Sequence, residues 1–120
     1  MTPPIELLSA VTLASTDMER SLRFYRALGF VVRDGAETPA FCSLAVGPGT
    51  LNLQLVPDYR PPEHVWGRVI LWVDDVDAVR DRAVAAGYEP STEPADAPWG
   101  ERYFHISDPD GHELSFAAPL

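Results

Sequence analysis

The chain has 120 residues, 46% hydrophobic and 22% charged, the length and balance of one globular domain and not of a disordered segment. Eighteen acidic against nine basic side chains give a formal charge of −9, which argues against a nucleic-acid binder and against docking on an anionic membrane. No apolar run approaches the roughly 20 residues of a membrane span, the N-terminal MTPPIELLSAVTL lacks a basic secretory start, and a lone Cys42 excludes an intrachain disulfide, so the expected compartment is the cytoplasm.

Ala10-Val11-Thr12-Leu13 opens an apolar, β-branched segment that reads as a strand. Thr16-Asp17-Met18-Glu19 follows as a capping-box pattern, in which the Thr hydroxyl and the Glu carboxylate take up free amides at a helix start. Met18, Leu22, Tyr25 and Leu28 fall at helical spacing, and Gly29 is the expected left-handed stop. Period-two patterns predict strands over Phe41–Val46 and Leu51–Val56, joined by the turn Gly47-Pro48-Gly49-Thr50. Pro57 to Glu63 carries three prolines and reads as a linker. Arg68–Val73 opens a second apolar segment. Asp75 then starts a second helical pattern through Val76, Val79, Ala83 and Ala86, stopped by Gly87. Arg102–Ser107 and Glu113–Ala117 are two further strands, joined by Asp108-Pro109-Asp110-Gly111-His112. Residues 31–36 and 88–92 are candidates for one more strand in each half.

The two halves repeat one another. Val11 and Val69, Leu13 and Leu71, Asp17 and Asp75, Gly29 and Gly87, and Phe30 and Tyr88 share one offset of 58 residues. A fixed register across a strand, an acidic helix start and a terminal Gly-aromatic pair indicates two copies of one supersecondary unit. The expected fold is α+β: two tandem βαβββ units, about 5–57 and 66–120, joined by a Pro-rich linker at 57–65 within a single domain. Their strands would form a curved mixed sheet with the helices on one face.

Strand parity divides the side chains. Val11, Leu13, Leu44, Val46, Leu51, Leu53, Leu55, Val69, Leu71, Val73, Phe104, Ile106, Leu114 and Phe116 belong to the helix side. The opposite face then carries Ala10, Thr12, Phe41, Ser43, Asn52, Gln54, Arg68, Ile70, Trp72, Tyr103, His105, Glu113 and Ser115. Aromatics mixed with amides, hydroxyls and few charges make a poor solvent face, and this one reads as a pocket, a dimer interface or both.

The repeated plan, the segment Asp17-Met18-Glu19-Arg20-Ser21-Leu22-Arg23-Phe24-Tyr25 running to Leu28-Gly29-Phe30, and Asp108-Pro109-Asp110-Gly111 before the last strand resemble the vicinal oxygen chelate superfamily of glyoxalases, bleomycin-resistance proteins and extradiol dioxygenases. The resemblance implies, for its enzymes, a divalent metal held by a His on the first strand of each unit and a Glu near each unit's last strand. Here those positions carry Ala10, Arg68, Gln54 (or Asn52) and Ser115. Ala offers no donor atom and Arg is a permanent cation, so no metal, no cofactor and no catalytic residue is expected. Pro98-Trp99-Gly100-Glu101-Arg102-Tyr103 is similar to the corresponding stretch of the metal-free bleomycin- and mitomycin-binding self-resistance proteins, which are homodimers holding the antibiotic in crevices between subunits.

The resulting expectation is a cytoplasmic homodimer that sequesters a small aromatic antibiotic or related natural product without altering it. Phe41, Trp72, Trp99 and Tyr103 would stack on the ligand; Ser43, Asn52, Gln54, Arg68, His105 and Glu113 would complete the wall. Competing roles are open: Trp99 as a loop anchor, Trp72 as interface packing, Arg68 as a salt-bridge partner of Glu113, His105 as a plain hydrogen-bonding group. Cys42 reads as a buried hydrophobe, and Asp110 and His112 as turn residues. The rival reading is an enzyme of the same superfamily, either a metal-dependent lyase or dioxygenase or a metal-free isomerase or cyclase using His105 and Glu113; a dimer without any small ligand is a third.

Overall fold

The structure, a computed structural model, describes residues 4–120, with the backbone alone at positions 34 and 36; Met1 to Pro3 of the N-terminal stretch lie outside the described residues. Chain order is β1 (Ala10–Ser15), α1 (Met18–Leu28), β2 (Val32–Glu37), β3 (Phe41–Val46), β4 (Gly49–Leu55), β5 (Arg68–Trp72), α2 (Val76–Ala85), β6 (Ala95–Asp96), β7 (Glu101–Ser107) and β8 (Glu113–Pro119). The strands form two four-stranded sheets, β1-β4-β3-β2 and β5-β8-β7-β6. In each, the first strand runs parallel to the last and the other neighbours are antiparallel. The topology is thus α+β and repeated, as expected, but the expected single sheet is two, because β1 and β5 are both edges with no ladder between them.

Local differences from the sequence reading have simple causes. The second unit does not use 88–92 as a strand. Pro90 and Pro94 lack amide donors, and only the amides of Ser91 and Thr92 reach the His105 carbonyl, at 2.8 and 3.3 Å. The helices are capped by Asp17 and Asp75, whose carboxylates accept from the amides of Arg20 and Ala78 at 3.1 and 3.0 Å. Thr16 is therefore not the cap of a capping box; its hydroxyl turns to Asp110. α2 stops one residue early, leaving Ala86 exposed. Gly29, at φ 111°, ends α1 as expected, and a Cβ there would sit 3.3 Å from Arg82 Nη1.

The helix-facing parity residues build the core. Leu13, Leu44, Leu51, Leu53, Leu71, Phe104, Ile106, Leu114 and Phe116 are all buried, together with Met18, Leu22, Phe24, Tyr25 and Leu28 of α1. Cys42 is fully buried among them. Edge-to-face contacts of Tyr25 with Phe24 and Phe30, at 5.0 and 5.2 Å, and of Phe24 with Tyr88, at 4.9 Å, tie the first helix to both units.

A second tie is polar. Asp108, Asp110 and His112 are buried and are not simple turn residues. Asp110 accepts from the amide and hydroxyl of Thr16, from Ser21 Oγ at 3.3 Å and from Arg20 Nη2 at 2.9 Å. Asp108 accepts from Tyr25 Oη at 2.7 Å and from the amides of Asp110 and His112. His112 Nε2 lies 2.8 Å from the Ala14 carbonyl. The loop before β8 is thereby clamped to β1 and α1 of the other unit.

Asp110→Ala removes the common acceptor of Thr16, Arg20 and Ser21 and is expected to cost about 3 kcal/mol in chemical denaturation. Burial, reinforced by the Asp108 carboxylate, pushes the Tyr25 phenol well above its ordinary pKa. In the unfolded chain that phenol ionises near pH 10. The stability tied to Tyr25 is thus complete below about pH 10 and lost as pH rises towards the folded-state value. Thermal melts across the alkaline range should show Tm falling more steeply for the native protein than for Tyr25→Phe, which at neutral pH should be destabilised by about 1–3 kcal/mol.

Candidate ligand-binding site

The face turned away from the helices is set by register. On the second sheet Arg68 pairs with Glu113, Ile70 with Ser115, and Trp72 with Ala117; across the next ladder His105 pairs with Ser115 and Tyr103 with Ala117. The central strand thus offers small side chains between bulky neighbours. The result is a hollow of about 210 Å³ lined by Arg68, Ile70, Trp99, Glu101, Tyr103, His105, Ser115 and Ala117.

Trp99 reaches this hollow from a tight turn in which the Gly100 amide donates to the Ala97 carbonyl at 3.1 Å, with Gly100 at φ 94°. Its indole stacks on Tyr103 with centroids 5.9 Å apart and planes 24° from parallel, while 67% of the residue stays exposed. Tyr103 in turn lies 5.1 Å from the His105 ring. Arg68 sends Nε and Nη2 to a single oxygen, Glu113 Oε2, at 3.1 and 2.9 Å. The ion pair weighed from sequence is formed, and the Glu113 carboxylate is directed to Arg68 and not to His105. Burial lowers the His105 pKa, the Arg68 guanidinium adds to the effect and Glu113 opposes it. His105 is therefore neutral near pH 7.

Phe41, Ser43, Asn52 and Gln54 of the sequence-derived wall lie on the first sheet. Ser43 Oγ donates to Asn52 Oδ1 at 2.7 Å, and Asn52 Nδ2 donates to Thr12 Oγ1 at 3.2 Å, a chain across β3, β4 and β1. Phe41 stands opposite Gln54 in the ladder, both exposed. Phe41, Ser43, Asn52 and Gln54 do not line the hollow formed by Arg68, Trp99, Tyr103 and His105. Trp72, 61% exposed, borders a separate crevice of about 350 Å³ between the two units. Ile70, Glu101, Ser115 and Ala117 line the hollow but are absent from the sequence-derived wall; Ile70 and Ser115 already belong to the same strand face, and continuing the period-two pattern one step along β7 and β8 finds Glu101 and Ala117.

The chemistry of the donor set can be tested against the metal that the resemblance implies for enzymes. A methyl group, an amide, a guanidinium and a buried hydroxyl stand at the four ligand positions, Ala10, Gln54, Arg68 and Ser115. A guanidinium cannot ligate a cation and repels it. Among the described residues no three His, Cys, Asp or Glu side chains converge on one point. The set does not fit a divalent metal. Cys42 does not supply a nucleophile: burial pushes its thiol pKa up, away from the reactive thiolate.

Comparison with known proteins gives this geometry a family. Residues 7–116 match the Glyoxalase/Bleomycin resistance protein/Dioxygenase superfamily. An uncharacterized protein of Mycolicibacterium smegmatis is 33% identical over 114 residues, covering 92% of this chain and 91% of its own. An uncharacterized Mycobacterium bovis protein is 44% identical over 50 residues, 42% of this chain, and the match spans only 33% of that longer protein's length. Among solved structures, TioX from Micromonospora sp. ML1 superposes with a TM-score of 0.73 at 30% identity, over 93% of this chain and 98% of its own. A bleomycin resistance determinant encoded on the transposon Tn5 (TM-score 0.75, 24% identity, 93% and 97% covered) and a lactoylglutathione lyase from Agrobacterium tumefaciens (0.74, 19%, 96% and 95%) share the fold. One architecture thus carries both a resistance determinant and a lyase, and the fold by itself does not choose between them. By its repeated topology and the match over nearly its whole length, the chain belongs to the glyoxalase/bleomycin resistance protein/dioxygenase superfamily.

Proposed function

We propose that the protein is a non-catalytic binding protein that sequesters a small aromatic antibiotic or related natural product, in the cytoplasm, at the interface of a homodimer. The observation that carries this reading is the half-built hollow on the second sheet. It has an indole and a phenol as one wall, small residues as its floor and the polar groups of Arg68, Glu101 and His105 at its margins, the mixture of a ligand site. Its volume of about 210 Å³ falls short of the roughly 300–1,000 Å³ that encloses a drug-sized molecule, and it is open on one side. The polar chain Thr12–Asn52–Ser43 with Phe41 and Gln54 on the first sheet is a matching lid that its own hollow lacks. A second copy related by a two-fold axis would bring the first sheet of one chain over the second sheet of the other, twice. Exposed Ile70 and Trp72 would be covered by the same association. The donor set unsuited to a metal and the engagement of Glu113 by Arg68 favour storage of the ligand over its conversion. A shared fold with a bleomycin resistance determinant is consistent with a protective role.

Titration with flat antibiotics should quench tryptophan fluorescence, and Trp99→Ala should weaken binding roughly five- to tenfold, the effect of one lost stacking partner. The ligand should be recovered chemically intact after long incubation; its consumption would establish an enzyme instead. Sedimentation should give a dimer, and Trp72→Asp should shift it towards monomer and weaken binding in parallel.

A further inference from the structure

We propose that His105 sets the ligand class of the hollow: its neutral ring holds an N–H towards the cavity and selects flat molecules whose ring edge carries an acceptor oxygen, a carbonyl, phenolate or carboxylate. This rests on the binding role just proposed and goes further by naming what is bound. The argument begins with an asymmetry in the imidazole. Nδ1 is enclosed and has no hydrogen-bond partner, whereas His105 as a whole lines the cavity, so Nε2 is the ring nitrogen open to a ligand. An N–H at Nδ1 would be buried without an acceptor, which costs more than leaving a lone pair there. The proton of the neutral ring therefore belongs on Nε2, and Nε2 donates.

The neighbours reinforce the choice. Arg68 gives Nε and Nη2 to Glu113 and lines the same hollow. Ser115 lies beside His105 in the ladder. The opposing charge in the lining, Glu101, is four residues along β7, about 13 Å away on the strand, at the Trp99 end. At the His105 end Arg68 and Glu113 offset one another as an ion pair and the His105 N–H is the donor left over, while Glu101 stands at the Trp99 end. A ligand lying on Trp99 and Tyr103 would direct an oxygen at the His105 N–H, while a cation placed there would meet that N–H and the Arg68 guanidinium, with Glu113 already held by Arg68.

Three probes of one size separate these terms: 2-naphthoate, 2-methylnaphthalene and 2-naphthylmethylammonium, titrated calorimetrically into the intact protein at neutral pH. The expected order is naphthoate tightest, by roughly tenfold or more over the ammonium compound, as one charge-assisted hydrogen bond provides. His105→Phe keeps a flat ring, removes the donor and should abolish the preference for naphthoate. His105→Gln, whose amide N–H can replace Nε2–H, should restore most of it. Each variant is first checked for a native thermal melt. If the three probes bind alike, if the ammonium compound is preferred, or if naphthoate binds His105→Phe as well as the native protein, the His105 assignment is overturned and the binding role stands. If none of the probes nor any flat antibiotic binds, the binding role falls and the assignment with it.

Discussion

Two carboxylates buried in a loop of the second unit hold the first unit in place. Asp110 collects donors from Thr16, Arg20 and Ser21, and Asp108 takes the phenol of Tyr25. A buried carboxylate is tolerable only when its oxygens are hydrogen-bonded, so the loop fits in one position against β1 and α1. No strand ladder joins the two sheets, and this polar clamp, with the aromatic contacts of Phe24 and Tyr25, fixes how their outer faces are presented. The wall of the hollow on the second sheet and the polar chain on the first inherit their relative placement from it.

The same fold is compatible with metal chemistry when its outer face supplies imidazole and carboxylate. In this chain that face has been remade. Arg68 stands where the resemblance implies a metal ligand, and its charge is answered by Glu113, so that position holds an ion pair. Ser115 and Ala117 keep the floor low, and Trp99, carried in on a turn, supplies a flat wall. Fold likeness to a resistance determinant and to a lyase carries no vote between binding and turnover; the side chains on this face do.

Much of this was legible in the chain before folding was considered. The 58-residue offset gave the repeat, the Gly29 and Gly87 stops gave the helix ends, and alternation along six strands separated core from outer face. The differences at Thr16, Asp110 and His112 have one source. Thr16 was read as a cap and Asp110 and His112 as turn residues because each was judged with its sequence neighbours, yet their partners lie more than 80 residues away. The strand over 88–92 fails for a local reason: Pro90 within it and Pro94 just beyond it have no amide to give a ladder.

Parity is dictated by the alternation of side chains along a strand, and a repeat by the pairing of equivalent residues; both are properties of the chain, and the sequence by itself determined them. It also determined that Arg68 and Ala10 occupy positions unsuited to a cation. Only the tertiary structure decided that Arg68 turns to Glu113, that Nδ1 of His105 is enclosed while its other nitrogen is open, and that the wall residues divide between two sheets. Those outcomes depend on which strands become neighbours and on what surrounds each polar atom in three dimensions, and no spacing along the chain encodes that directly.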